Sequence, residues 1–265
     1  MRIKDVYDKD LHLSFGEVAL DREMVSNIQL RLKNYGYSIG TSDGLYGSLT
    51  ATALADFIHS WGESDAEMNK TIAKLLIEKS GRNGGMPELA TPELVSAILQ
   101  CPLSDSATYL PGVLSALREQ GILDRLTLIA IIATIGVETG GFRPINEFGS
   151  RQYFIDHYEG RCSDLGNCFD GDGPRYHGRG FIQLTGRANY RKYGNLFGVN
   201  LEDNPDLALD PIVSAKVLAR YFFDREVDIA ANAQNWELVR KKVNGGLNGF
   251  DDFMFYVNRS LVRLF

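Results

Sequence analysis

The sequence predicts a mainly α-helical protein, and three observations carry that expectation. Apolar residues recur at helical spacing through much of the chain, no stretch alternates long enough for a clear strand, and a Gly/Pro-rich break at residues 80–87 separates two helix-patterned regions. With 44% apolar and 23% charged residues, and 27 Gly against 8 Pro, the composition excludes disordered and collagen-like chains. A length of 265 residues suits one large domain or two modest ones. The break places a first domain at 1–80, a linker at 81–90 and a second domain at 91–265.

In chain order, Val25, Ile28, Leu32 and Tyr35 share one helical face that stops at Gly36, a natural C-cap. Asp43-Gly44 and Tyr46-Gly47 are turn dipeptides, after which Leu54, Phe57, Ile58 and Trp61 fall at i, i+3, i+4 and i+7. A third helix over residues 65–79, with Met68, Ile72, Leu75 and Leu76 on one side, completes a small three-helix module. Downstream, Thr91-Pro92-Glu93 opens a helix with a capping Thr and Pro at the first helical position. Further helices are expected over 110–120, 124–139, 211–223 and 235–243, with one weak strand candidate at 181–184.

Thirty-four acidic against 28 basic residues give a net charge of −6 without a Lys/Arg cluster, which argues against a nucleic-acid partner. The first ten residues carry charges and no apolar core, so no secretory signal is expected. The longest apolar run, Leu126 to Val137, contains two Thr and falls short of the roughly 20 residues a bilayer needs. It reads as a buried helix, and no membrane insertion is expected. Cys162 and Cys168 can close a small loop, yet unpaired thiols are the expectation for a chain made in a reducing cytosol. Neither His157 nor His177 completes a zinc-type Cys/His spacing, so no metal and no cofactor is expected.

Glu138 ends the oily helix directly before Thr139-Gly140-Gly141. Desolvation and the negative end of the helix dipole are expected to disfavour its charged form, as a general acid requires. Glu147 follows nine residues later on a separate segment, because the glycines break the helix. Two such carboxylates suit glycoside hydrolysis with inversion, in which acid and base stand about 6.5–9.5 Å apart with a water between them. Asp156 and Glu159 are further candidate bases. The run from Gly171 to Tyr190 combines glycines that admit close backbone approach with Tyr, Gln, Thr and Asn groups suited to sugar hydroxyls and amides. It lacks the spacing of a phosphate loop.

Val25, Ile28, Gln29, Leu32, Gly36, Tyr37, Asp43, Gly44, Tyr46, Gly47, Thr50, Ala53, Leu54 and Phe57 follow in order the pattern of the peptidoglycan-binding domain of wall hydrolases, which the first module resembles. The resemblance implies wall contacts by Tyr37, Asp43 and Tyr46. Over about residues 90–265, Glu138-Thr-Gly-Gly141, Glu147, Tyr158-Glu-Gly-Arg161, Asp164-Leu-Gly-Asn167, Tyr176-His-Gly-Arg-Gly-Phe-Ile-Gln-Leu-Thr185, Asn189-Tyr190 and Val243-Asn-Gly-Gly246 resemble the family 19 chitinase group, specifically its phage-type endolysin branch.

This second resemblance implies a lysozyme-like, two-lobed helical fold that cleaves a β-1,4 link beside an N-acetylated amino sugar by single displacement with inversion. It implies Glu138 as general acid, Glu147 as general base and Thr185 as a holder of the attacking water. Tyr176, Arg179, Gln183, Asn189 and Asn244 are then the sugar-contacting positions. Two departures stand out: the His expected before the acid is Val137, and the Asp-Arg pair expected further on is Asp252-Phe253, removing an Arg that supports the acid. Desolvation by Val137 and its apolar neighbours is expected to keep Glu138 protonated instead.

The function expected is an endolysin-type hydrolase cutting peptidoglycan between N-acetylmuramic acid and N-acetylglucosamine, made in the cytoplasm as a monomer and reaching the wall at phage lysis. A chitinase is the alternative; a catalytically weak wall-binding protein and a lytic transglycosylase are the others.

Overall fold

The computed structural model describes all residues except 35, 36, 38, 65, 79–89 and 265. The expected cap at Gly36, residues 65 and 79 of the third helix, and the linker over 81–89 lie outside the described residues; the third helix begins at Lys70 rather than at 65, because Met68 exchanges backbone hydrogen bonds with Leu13 and Asn69 Oδ1 accepts from Thr71 N and Ile72 N. The chain forms two compact units, Met1–Leu89 with Arg118–Asp124, and Ala90–Leu117 with Arg125–Phe265.

The first unit contains α1 (Ile3–Lys9), α2 (Phe15–Leu20), α3 (Arg22–Asn34), α4 (Ser48–Ser60) and α5 (Lys70–Glu78). The last three are the helices that periodicity predicts. The first two are additional, seven and six residues long, and too short to show a stripe. Local capping defines α2: Ser14 Oγ accepts from Glu17 N while the Glu17 carboxylate accepts from Ser14 N at 2.9 Å. Val25, Ile28, Leu32, Leu54, Phe57, Ile58, Met68, Ile72 and Leu76 make one core, each contributing roughly 1.5–3 kcal/mol where fully buried.

In the second unit α6 (Pro92–Leu99) starts as the sequence indicates, with Thr91 Oγ1 accepting from Leu94 N at 3.3 Å. The next helix, α7 (Leu103–Gln120), begins seven residues before the expected Leu110 and carries Pro111 inside it. The proline made the upstream turns look like loop, although its ring forbids only one amide donor and one carbonyl contact. Helix α8 (Arg125–Thr139) is buried on every side from Thr127 to Gly136. It is surrounded by α6, α14 (Val227–Asn232), α15 (Trp236–Asn244) and α16 (Phe250–Arg263). At Gly136 a Cβ would stand 2.7 Å from Leu99 Cδ2 and 2.9 Å from the Tyr256 ring, so only glycine admits α6 and α16 this closely.

After α8 the chain makes β1 (Ile145–Asn146), which pairs antiparallel with β2 (Arg179–Gly180) in the register Ile145↔Gly180 and Asn146↔Arg179. The expected strand at 181–184 is instead a tight turn. Arg179 and Leu184 exchange backbone hydrogen bonds of 3.2 and 2.8 Å around it, and Gln183 takes a left-handed φ of 51°. Between the strands lie α9 (Arg151–Tyr158), α10 (Cys162–Leu165) and α11 (Asp172–Arg175). Beyond β2 come α12 (Arg187–Phe197), a 3₁₀ turn at Pro205–Leu209 and α13 (Pro211–Asp224).

Contrary to the expectation of free thiols, Cys162 and Cys168 are disulfide-bonded, their Cα atoms 4.5 Å apart. The single turn of α10 ends at a left-handed Gly166, which sends the chain back over its own start. Asn167 secures the return by donating to Tyr158 O at 2.9 Å and accepting from Arg187 N at 2.8 Å.

Candidate active site

A cleft of about 760 Å³ opens in the second unit, and both predicted carboxylates line it. Glu138 enters from the last turn of α8, where Gly140 and Gly141 release the chain before the helix can carry the side chain away. Its side chain is 16% exposed, and Arg240 Nη1 donates to its Oε1 at 2.6 Å. Arg240 comes from α15, is 4% exposed, and also donates through Nε to Asn248 O at 2.8 Å. Glu138 therefore has an arginine partner after all. The position that the resemblance singled out, Phe253, is a buried core residue of α16.

Glu147 sits immediately after β1, and the β1–β2 pairing determines where it points. Its amide donates to Gly178 O at 2.8 Å, while its Oε2 accepts from Gly178 N at 2.8 Å and its Oε1 from the Tyr158 hydroxyl at 2.6 Å. A side chain at position 178 would collide, since a Cβ there lies 3.0 Å from Glu147 Oε2 and 2.9 Å from Gln183 Oε1. Burial, and next the hydrogen bond to Glu147, push the Tyr158 phenol well above its ordinary value, so it stays a proton donor to the carboxylate.

Thr185, Gln183, Asn189 and Asn244 also line the cleft. Thr185 donates to Gln183 O at 2.9 Å, which commits its hydrogen and leaves its oxygen lone pairs to accept. Gln183 donates to Ile145 O at 3.1 Å and Gly180 O at 2.9 Å, so its strained backbone stitches both strands to the cleft floor. Asn189 Nδ2 donates to Thr185 O at 2.7 Å.

Over 171 residues the chain is 30% identical to a glycosyl hydrolase family 19 domain-containing protein of Haemophilus influenzae, a stretch covering 53% of this chain and 84% of that protein. The chain belongs to glycosyl hydrolase family 19. The family's class I chitinase model matches residues 131–235, and a peptidoglycan binding domain model matches residues 21–57. Over 44 residues the chain is 54% identical to chitinase 8 of Oryza sativa subsp. japonica, 16% of this chain and 17% of that one. Its fold is similar to that of chitinase C from Streptomyces griseus, with a TM-score of 0.51 at 20% identity, covering 69% of this chain and 95% of the other. The protein is thus a chitinase-like glycoside hydrolase with a peptidoglycan-binding domain.

Within this family 19 domain the structure sets Tyr176 and Arg179 apart from the cleft. Tyr176 is 1% exposed and donates to Glu202 O at 3.0 Å. Arg179 is 6% exposed, paired to Asp206 at 2.9 Å and bonded to Arg175 O, His177 O and the Tyr190 hydroxyl. Both hold the glycine-rich segment together from behind, a role that a polar residue in a sugar-like motif does not advertise. Of the alternative bases, Glu159 is occupied in clasping the amides of Gly171 and Gly173, and Asp156 accepts from Gln152 on the surface. Sequence reasoning missed Arg240 and the Tyr158 hydroxyl. Only the Tyr158-Glu-Gly-Arg161 string hinted at the second.

In the peptidoglycan-binding domain, Asp43 is exposed and caps a loop. Its Oδ1 accepts from Leu45 N at 2.9 Å and Gln29 Nε2 at 3.0 Å, which together hold its carboxyl below the usual range. Tyr37 packs edge-on against Phe57, ring centroids 6.4 Å apart, in the core. Tyr46 lines a groove with Phe15, Ala51, Thr52 and Ala55. Phe15 stacks beside it at 6.4 Å.

Proposed function

We propose that this family 19 glycosidase is an endolysin-type enzyme that hydrolyses the glycan strand of peptidoglycan between N-acetylmuramic acid and N-acetylglucosamine, with inversion. The observation that carries the reading is a cleft lined by Glu138 and Glu147 in a chain that also holds a peptidoglycan-binding domain. Glu138 gives its proton to the glycosidic oxygen as the bond to C1 breaks, and the carboxylate it becomes is received by Arg240, already 2.6 Å away. Glu147 takes a proton from a water that adds to the opposite face of C1, its plane fixed by Tyr158 and Gly178. Thr185, with its hydrogen committed to Gln183 O, accepts the water's other hydrogen and so turns the water's lone pair toward C1. One water is consumed and a free reducing end of inverted configuration is produced.

We infer further that the protein acts as a monomer and meets the wall when a phage lyses its host. The relatives named as chitinases favour a second reading, hydrolysis of poly-N-acetylglucosamine by the same carboxylates. Mass analysis of products from peptidoglycan and from chitin oligosaccharides separates the readings. Hydrated muropeptides, lost by about 10²–10⁴ in Glu138→Gln and Glu147→Gln, are the expected result. Products from chitin alone would make it a chitinase, anhydro ends a transglycosylase, and no products from either a wall-binding protein.

A further inference from the structure

One cation in the cleft has no part in the proton transfers described above. Arg225, directly after α13, lines the cleft together with Tyr221, Asn244 and Gly245. Its guanidinium lies 4.4 Å from the centroid of the Tyr221 ring, and its Nη1 reaches Lys242 O at 3.4 Å. Tyr221 is itself pinned, its hydroxyl donating to Val243 O at 2.8 Å. The stack thus holds the guanidinium against the wall of the cleft before any ligand arrives. Tyr221 and Arg225 line the same cleft as Glu138.

The other arginines here are engaged: Arg161 is paired to Asp164, and Arg240 to Glu138. Among the described residues no carboxylate forms an ion pair with Arg225. A stacked, exposed guanidinium with most of its five donors open is suited to a carboxylate. Chitin offers none, because its repeating unit carries only hydroxyls and acetamides. A peptidoglycan strand does, because each lactyl-linked stem peptide bears free carboxylates.

We propose that Arg225 is a specificity residue: it binds a carboxylate of the peptide branch on N-acetylmuramic acid, and by that contact the cleft prefers peptidoglycan to chitin. This rests on the peptidoglycan reading above and names the group that would discriminate. The test is a cycle between the residue and the substrate, using soluble peptidoglycan strands with intact stem peptides, the same strands with their carboxylates amidated, and chitin oligosaccharides.

For the wild type, amidation lowers kcat/KM by about fivefold through KM, the scale of one exposed charge pair. Arg225→Gln loses a similar factor on native strands and nothing further on amidated ones, and its ratio of peptidoglycan to chitin turnover falls accordingly. Arg225→Lys, which keeps the charge, retains a preference for native strands. Equal preference for native strands in the wild type and R225Q overturns the proposal, as does an R225K with no preference. A wild type that cleaves chitin oligosaccharides but neither form of peptidoglycan overturns the parent reading instead.

Discussion

Glu138 leaves the end of α8 with a guanidinium 2.6 Å away, supplied by residue 240 rather than by the position 253 to which the family pattern pointed. The place of Glu138 in the cleft was legible, because an apolar run ending in Glu-Thr-Gly-Gly is a local signal. Its partner was not, because nothing within one helix of Glu138 reveals which of 28 basic residues will fold against it. Removing Arg240 takes a charged donor away from both Glu138 and Asn248 O in a largely buried place, which costs about 2–4 kcal/mol. Arg240→Met is therefore expected to unfold at lower urea concentration and to lose kcat rather than KM, while the double variant with Glu138→Gln recovers part of the stability. His177 supplies a pH prediction. Burial lowers its pKa below the ordinary 6.5, partly offset by its hydrogen bond to Pro174 O, and its ring stacks on Phe154 at 4.4 Å. The unfolded chain then binds a proton at a higher pH than the folded one, so this contribution to stability is whole above about pH 6.5 and is lost as pH falls below it. Melting temperature should decline on that side in the wild type and decline less in His177→Gln.

At the scale of elements, long periodic helices were legible and short connecting ones were not. Helices α9, α10 and α11 hold the base, yet they run for only eight, four and four residues. Such lengths give periodicity nothing to repeat, and tertiary bonds such as the Glu159 clasp define them instead. The disulfide belongs to this group, and replacing both Cys162 and Cys168 by Ser is expected to cost on the order of 2 kcal/mol. Hydrogen exchange should rise first at residues 161–168, since the clamp closes only that loop. Helix packing gives a sharper test. In an exposed helix Gly→Ala stabilises by up to about 1 kcal/mol, and Gly112 on α7 has open space where a Cβ would stand. Gly112→Ala should be neutral or stabilising, whereas Gly136→Ala should lose about 1–3 kcal/mol by forcing α6 and α16 off α8. Chemical denaturation of the two variants side by side decides it.

Across the whole molecule, both functional units were legible from ordered strings of residues, but what those strings do was only partly so. In the peptidoglycan-binding domain, Gln29 gathers most of the pattern by itself: its amide donates to Asp43, Leu45 O and Thr50, and its oxygen accepts from Gly44 N. The string encodes a loop latch. Gln29→Leu would strand those partners and should lower stability by about 2–4 kcal/mol, with wall retention falling only as the domain unfolds; sedimentation with purified walls alongside circular dichroism separates the two. The catalytic unit carries a different lesson. Glu138 and Arg240 are 102 residues apart in sequence, and most of the residues that line the cleft lie between them. Closing so long a loop is entropically slow compared with winding a helix, so catalytic competence belongs to the last stage of self-assembly. On dilution from denaturant, helical ellipticity should return well before turnover does, and a nascent chain emerging from the ribosome stays inert until its final helices are free.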